Sequence, residues 1–373
     1  MTEREARIAF NMIPTVGAVA VDRLARAAGG SVAEAYARFP EKRDWEGREP
    51  AWERELEQAA KSNVRILTAE DDDYPPLLLE IASPPLALYV VGEVSALSRA
   101  AVALIGTRGA TAYGRDTAEK FACGLAQRGW CVLSGLARGV DTAAHRGALV
   151  GGGVTVGVLG GALDRFYPEE NRGLAREMVE KGGCVASEFP FGRAPDPQTF
   201  PQRNRVVAGL SRGVVAVECP AHSGTLITCM RAAEQGRAVM AVPGRIDCRN
   251  SDGCLQLIRD GARMVTCVDD VVEELSSLPE LARPASGGTP AAAPSETAGK
   301  AVRKPPPAPP EAKISADEAA VLRCVPEEGV GADAVVRATG FGAARVNALL
   351  MGLRLKGRLL FLPGNRVATR KTF

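Results

Sequence analysis

Five short segments of this chain join arginines, hydroxyls and glycines in a way that suits anion chemistry. The first, GTRGATAYG (106–114), places Gly106, Thr107 and Arg108 just before a helical pattern. Small residues and hydroxyls at a helix entrance turn backbone N–H groups toward an anion, and an arginine adds a bidentate donor. No Gly-Lys-Ser/Thr follows and the spacing is not G-x-G-x-x-G, so the segment is neither a Walker loop nor a dinucleotide fingerprint. The second, SGLARGVDTAAH (134–145), repeats the Gly-rich entrance with Ser134, Gly135 and Arg138. Its Asp141 and His145 stand four apart on one helix face, where they are placed to pair. The third, DRFYPEENR (164–172), offers Tyr167 as a stacking face and Arg172 as a cation; the fourth, FPQRNR (200–205), sets Arg203 and Arg205 around Asn204. PAHSGTLIT (220–228) supplies a last hydroxyl-rich entrance. Arginines at four of these segments fit a polyanion better than a single nucleotide.

The elements that must position them follow from patterning. AVALIG (101–106), WCVLSG (130–135), TVGVLGG (155–161), CVAS (184–187), GVVAVE (213–218) and AVMAVPG (238–244) are short β-branched runs, and helical patterns alternate with them. Apolar strands without a polar face are covered on both sides, which predicts an α/β fold with a doubly wound parallel sheet of extended Rossmann type. Ligands of such sheets bind beyond the carboxyl ends of the strands, and that is where the five segments fall.

With 373 residues the chain exceeds a single core and should divide into domains. Charge is nearly balanced, 46 Lys plus Arg against 44 Asp plus Glu, which excludes binding by bulk charge but not a local basic strip. Two histidines exclude a His-rich metal site, and nine scattered cysteines without C-x-x-C read as reduced core thiols of a cytoplasmic protein. Neither a metal nor a cofactor is expected. The start MTEREARIAF lacks the apolar region of a secretory signal, and the longest uncharged apolar stretch (147–163) is too Gly-rich to span a bilayer, so no membrane association is expected. Residues 281–313 hold eight prolines and almost no large apolar side chain, the composition of a disordered linker. The expected domains are thus a helical piece at 1–63, the α/β block at 64–280, the linker at 281–313 and a module at 314–373.

In order and spacing, ALIGTR…YG, SGLARGVDTAAH, YPEEN, SEFPFG, FPQRNRVVAGLS, VVAVEC…SGTLITCMRAAEQGR, AVPG and SDGCLQLIRDGA resemble the DNA-processing protein A family (DprA, also Smf) over about residues 65–270. The resemblance implies a non-enzymatic single-stranded-DNA-binding protein that protects incoming DNA during natural transformation, loads the RecA recombinase on it and works as a homodimer. Carried over by residue, the DNA path would use Gly106, Thr107, Arg108, Ser134, Gly135, Arg172, Arg203, Asn204 and Arg205. Leu255 and Met264 would be apolar dimer contacts, with plain core packing as the alternative, and Arg259 would face RecA. Glu169 departs from the Lys of the family pattern.

In the flanks, NMIPTVGAVAVDRL (11–24) looks like half of a helix-hairpin-helix (a SAM-like domain), with Thr15 in place of the customary glycine. At the other end, three helical patterns and LLFLPGNRVAT, a hairpin closed by Pro-Gly-Asn, predict a winged helix; residues 345–373 carry seven Lys or Arg and no acid. Two rival functions stand beside the DNA-binding reading. A winged-helix transcriptional regulator with a nucleotide-sensing Rossmann domain is one. The other is a LOG-like phosphoribohydrolase, whose G-G-x-G-T-x-x-E glutamate is Thr228 here; Glu218 nearby would order the SGT loop.

Overall fold

Thr2 caps the first helix: its hydroxyl accepts from the amide of Glu5 at 3.2 Å, while the Glu5 carboxylate accepts from the amide of Thr2 at 2.7 Å. This reciprocal box satisfies donors that a helix start otherwise leaves unpaired. The helix, α1 (Glu3–Asn11), packs with α2 (Ala18–Ala27) and α3 (Val32–Arg38) around Phe10, which meets Tyr36 edge-on at 5.1 Å. Sequence patterning misses α3, seven residues long and capped by Ser31. A fourth helix, α4 (Trp52–Lys61), precedes the sheet. Thr15 lies outside the described residues. The computed structural model describes residues 1–276 except 15 and 41, and 316–369 except 327–328, 343–344, 347–348, 351–352, 354–357 and 363–365. The Pro-rich segment 281–313 is outside them, and the chain parts into two compact units at 289–290.

In the first unit, β1 (Arg65–Leu67), β2 (Leu88–Gly92), β3 (Ala101–Ile105), β4 (Cys131–Ser134), β5 (Thr155–Val158), β6 (Cys184–Ser187), β7 (Gly213–Ala216), β8 (Ala238–Ala241) and β9 (Arg263–Met264) form one sheet. Its order is β1-β2-β6-β5-β4-β3-β7-β8-β9. All pairings from β6 through β9 are parallel, as the apolar runs predict, but β2 runs antiparallel to β6 and β1 antiparallel to β2. The sequence hides that reversal because LYVV (88–91) is as apolar as its parallel neighbours. In β3, Ala101, Ala103 and Ile105 enter one core layer while Val102 and Leu104 enter the other. That period of two puts both faces out of water, at about 1.5–3 kcal/mol for each large side chain buried.

The helices α6 (Ala112–Gln127), α7 (Val140–Val150), α8 (Arg172–Glu180), α9 (Thr199–Gly209) and α10 (Gly224–Glu234) connect the parallel strands, after the single turn α5 (Pro76–Leu79). Two more, α11 (Asp252–Arg259) and α12 (Val268–Ser276), flank β9. The order reverses between β3 and β7, so a crevice opens beyond their carboxyl ends. The N-terminal helices belong to this unit: Ile8 and Ala59 pack with Ile66 and Tyr89 of β1 and β2. Among the described residues no helix is long and apolar enough to cross a membrane.

The second unit contains α13 (Ala316–Arg323), β10 (Val330–Gly331), α14 (Ala332–Thr339), β11 (Leu359–Leu362) and β12 (Arg366–Thr369). Residues 345, 346, 349, 350 and 353 are helical, and β11 and β12 form the hairpin, with β10 added on β12. Leu350 and Leu353 are buried with Val321, Val335 and Val367, so these leucines serve the core. The Pro-Gly-Asn turn and Leu355 lie outside the described residues.

Candidate functional site

Glu218, just after β7, builds the first loop. Its carbonyl accepts from the Thr107 amide at 2.8 Å, and its carboxylate accepts from the Thr111 amide at 2.9 Å and the Thr111 hydroxyl at 2.5 Å. Thr111 in turn caps α6, accepting from the Gly114 amide at 3.1 Å. A Cβ on Gly114 would collide with the Glu218 carboxylate, which accounts for the glycine. Glu218 therefore orders the Gly106–Thr111 loop, not the SGT loop expected from sequence. Gly109 donates to the Thr107 hydroxyl at 3.2 Å, so the amides of Thr107, Gly109 and Thr111 are spent inside the loop. The cation left facing solvent is Arg108, which has no acid partner among the described residues and lies 4.5 Å over the Phe200 ring.

The second loop is a rigid floor. Ser134 is fully buried and donates to the Leu104 carbonyl at 2.6 Å. Gly135 is clamped from both sides: its amide donates to Asp141 Oδ2 at 3.1 Å, and its carbonyl accepts from Arg203 Nη1 at 2.6 Å. Arg203 also donates to the Val158 carbonyl, and only 5% of it is exposed. Burial pushes the Asp141 carboxyl up and the Arg203 guanidinium down, each opposed by the charge of the other. A buried charge is tolerated where it is hydrogen-bonded and balanced: Asp141 accepts from two amides and Arg203 Nη1 donates to two carbonyls, while Arg203 Nε is buried without a partner. The expected Asp141–His145 pair does not form. Asp141 Oδ2 serves the amides of Gly135 and Ala137, while His145 Nδ1 meets the Thr155 hydroxyl at 2.7 Å. One helical turn separates the two residues, but the loop amides and β5 draw their side chains to different partners. Gly139, with φ +78°, allows the tight entry to α7 against the Thr107 carbonyl.

The remaining residues divide by location. Asn204 reaches the Gly224 carbonyl at 3.3 Å, whereas Arg205 points away, to the Ser83 carbonyl at 2.5 Å and to Glu188. Arg172 is held by Glu169 at 2.7 and 2.8 Å and lies 5.4 Å over Phe166. Arg138 is likewise held by Glu170 and lies 5.7 Å over the Tyr167 ring. Each carboxylate is lowered by its arginine partner, and each arginine raised. These exposed pairs add little stability, yet they leave this rim nearly neutral. Tyr167 stands 6.3 Å from Phe200, so this rim adds an aromatic face beside the cleft.

Between these walls lies a cleft of about 310 Å³. It gathers Gly106, Thr107, Arg108, Gly135, Arg203 and Asn204 of the expected residues, together with Phe200, Asp141 and the Ser223–Thr225 entrance. Arg172, Arg205 and the buried Ser134 do not line it. Phe200 is the wall residue that sequence reasoning left without a role; its spacing of four from Asn204 on α9 was the available signal. On the far edge, Leu255 is half-buried on α11, Arg259 is exposed, and Met264 on the edge strand β9 is 50% exposed.

Residues 65–276 match the family described as DNA recombination-mediator protein A, and residues 304–365 match the DprA winged helix domain. Protein Smf of Synechocystis sp. is 35% identical over 330 residues, covering 84% of this chain and 82% of its own. DNA processing protein DprA of Streptococcus pneumoniae is 44% identical over 204 residues, covering 55% and 72% respectively. The X-ray structure of DNA processing protein A from S. pneumoniae superposes with a TM-score of 0.60 at 35% identity, over 74% of this chain and 98% of that one. A structure of DNA processing protein A from Helicobacter pylori, described for its single-stranded DNA binding mode, gives 0.51 at 29% identity over 57% and 96%.

Proposed function

The chain belongs to the DNA recombination-mediator protein A family, and from that premise we propose that its cleft holds single-stranded DNA. In this reading the protein is cytoplasmic and homodimeric, shields incoming strands during natural transformation and hands them to RecA. The observation that carries it is the Arg108–Phe200 stack at the mouth of the cleft. A free guanidinium beside an aromatic face pairs a phosphate donor with a base platform, the combination by which single strands are held without sequence preference. The relative from H. pylori, described for single-stranded DNA binding, supports the same ligand class. The carboxylate of the cleft, Asp141, is buried and occupied by two amides, which favours binding over hydrolysis.

A gel shift with single- and double-stranded oligonucleotides across a salt series tests the reading, joined to a RecA filament assay on coated single strands. Preference for single strands with strong salt dependence, and faster RecA filament growth, are the expected results. Tight binding to one duplex sequence alone would replace this reading with that of a regulator.

A further inference from the structure

Two arginine–aromatic stacks stand side by side at the mouth of the cleft. Arg108 lies 4.5 Å over the Phe200 ring, and Arg138 lies 5.7 Å over the Tyr167 ring. The two rings are 6.3 Å apart and tilted by 59°. All four residues line one groove, which shares Arg108, Gly135 and Phe200 with the main cleft. Arg138 and Tyr167 come from the loops after β4 and β5, the strands that follow β3 in the sheet, so the second stack lies next along the same edge.

The two stacks differ in charge. Arg108 has no acid partner among the described residues, whereas Arg138 donates to the Glu170 carboxylate through Nε and, at 3.2 Å, through Nη2. Its Nη1 lies 3.4 Å from the Tyr167 hydroxyl. The ion pair is open to water, with 52% of each side chain exposed. Exposed pairs hold weakly, while a phosphate bound by both arms of a guanidinium is among the stronger polar contacts. A phosphate reaching the groove therefore takes the place of Glu170 without stranding a buried charge. The groove holds only about 10 Å³, the room of a single water, so a base rests outside it, on the Tyr167 ring, which is 41% exposed. We infer that Arg138 and Tyr167 form a second nucleotide seat, in which a strand phosphate displaces Glu170 from Arg138 and the adjoining base stacks on Tyr167. The inference rests on the single-stranded-DNA reading and adds to it a neighbouring nucleotide, its phosphate contact and an acid that competes with the strand. The seat takes any base, because every base has a π face to stack.

The test is a salt series of the full chain with oligo-dT of about 16 nucleotides. In wild type the freed Glu170 takes up cations as Arg138 gives up anions, so the exchange adds little to the salt slope. Glu170→Gln removes the competitor: affinity should rise roughly two- to fivefold, the strength of an exposed pair, and the slope should steepen by about 0.7. Arg138→Ala should weaken binding, and adding Glu170→Gln to it should restore nothing. A gain that survives in the double variant is repulsion at a distance and overturns the inference, as does Glu170→Gln that binds like wild type. Tyr167→Ala should bind about tenfold more weakly with an unchanged slope, as loss of one stacked base predicts. If Tyr167→Ala melts early, Tyr167→Trp replaces it and should keep the affinity while gaining fluorescence that oligo-dT quenches. Unaltered binding by Tyr167→Ala, or no added quenching in Tyr167→Trp, removes the base from this seat and with it the inference. Wild type that binds no strand at all brings down the DNA reading as well. Binding weakened by Arg108→Ala but untouched by Arg138→Ala sinks this inference alone.

Discussion

The guanidinium of Arg108 lies 4.5 Å from the centre of the Phe200 ring, and the two residues come from separate segments, the loop after β3 and the first turn of α9. The stack pre-orders the arginine side chain at little entropic cost and leaves its N–H groups for phosphate. Arg108→Ala should therefore weaken single-strand binding without lowering the melting temperature. The salt slope of log affinity should flatten by about 0.7 for each phosphate that the variant no longer neutralises. Phe200→Ala should weaken binding by about 1–3 kcal/mol and leave the slope nearly unchanged, because stacking releases no counterions. Salt titrations of both variants check the pair; identical slopes for wild type and Arg108→Ala would remove Arg108 from the DNA path.

Arg203 belongs to the same motif but has a different task. Its guanidinium holds the carbonyls of Gly135 and Val158 and offsets the buried Asp141. Arg203→Met should destabilise the fold by about 3–5 kcal/mol, the cost of leaving a buried charge uncompensated. Below its melting temperature the variant should keep the wild-type salt slope. Urea unfolding and the gel shift separate the two roles, and a stable variant with a flattened slope would return Arg203 to phosphate binding.

How far the chain could be read before folding differs by level. The parallel strands and the loops at their ends were legible because burial on both faces leaves runs such as AVALI and TVGV with no charged residue. The antiparallel β1 and β2 were not, since a strand's direction leaves no trace in its own composition. Within the loops, the residues were found but their depth was not. Ser134 and Arg203 have the types of ligand residues, yet tertiary neighbours bury both; only the fold reveals that Arg205 turns toward Glu188 while Asn204, one position earlier, faces the cleft. The Asp141–His145 spacing failed for the same reason: adjacency on a helix permits a pair, but nearby amides and Thr155 compete for it.

His145 sets a pH dependence. Burial holds its pKa down at about 3 against 6.5 when solvated, so it is neutral in the fold. Between those values the unfolded chain binds a proton that the folded one refuses. Its contribution is therefore fully present above about pH 6.5 and is lost as pH falls toward 3, by about 1.4 kcal/mol per unit. Asp141 acts the other way, because burial raises its carboxyl and the folded state takes up its proton first. Comparing wild type with His145→Asn isolates the first effect: from pH 7 to pH 5 the wild-type urea midpoint should fall further than that of the variant. Parallel pH profiles would mean that His145 is charged or solvent-accessible in the fold.

Met264 closes the sheet on β9 and is 50% exposed. An edge strand whose one apolar side chain, Met264, is half-exposed invites pairing with another chain, which is the physical case for a homodimer through this edge. Met264→Glu places a charge where a partner would bury it, so association should fail, while the exposed site keeps the monomer's stability within about 0.5 kcal/mol of wild type. Leu255→Glu should cost more stability, since Leu255 is already half-buried within one chain. Light scattering then reads the outcome: a wild-type dimer and a Met264→Glu monomer assign the interface to this edge, and a variant that remains dimeric moves it elsewhere. Arg259→Ala, at the exposed end of α11, should leave the dimer and strand binding intact and slow RecA filament growth on coated strands. If filament growth matches wild type, Arg259 does not meet RecA.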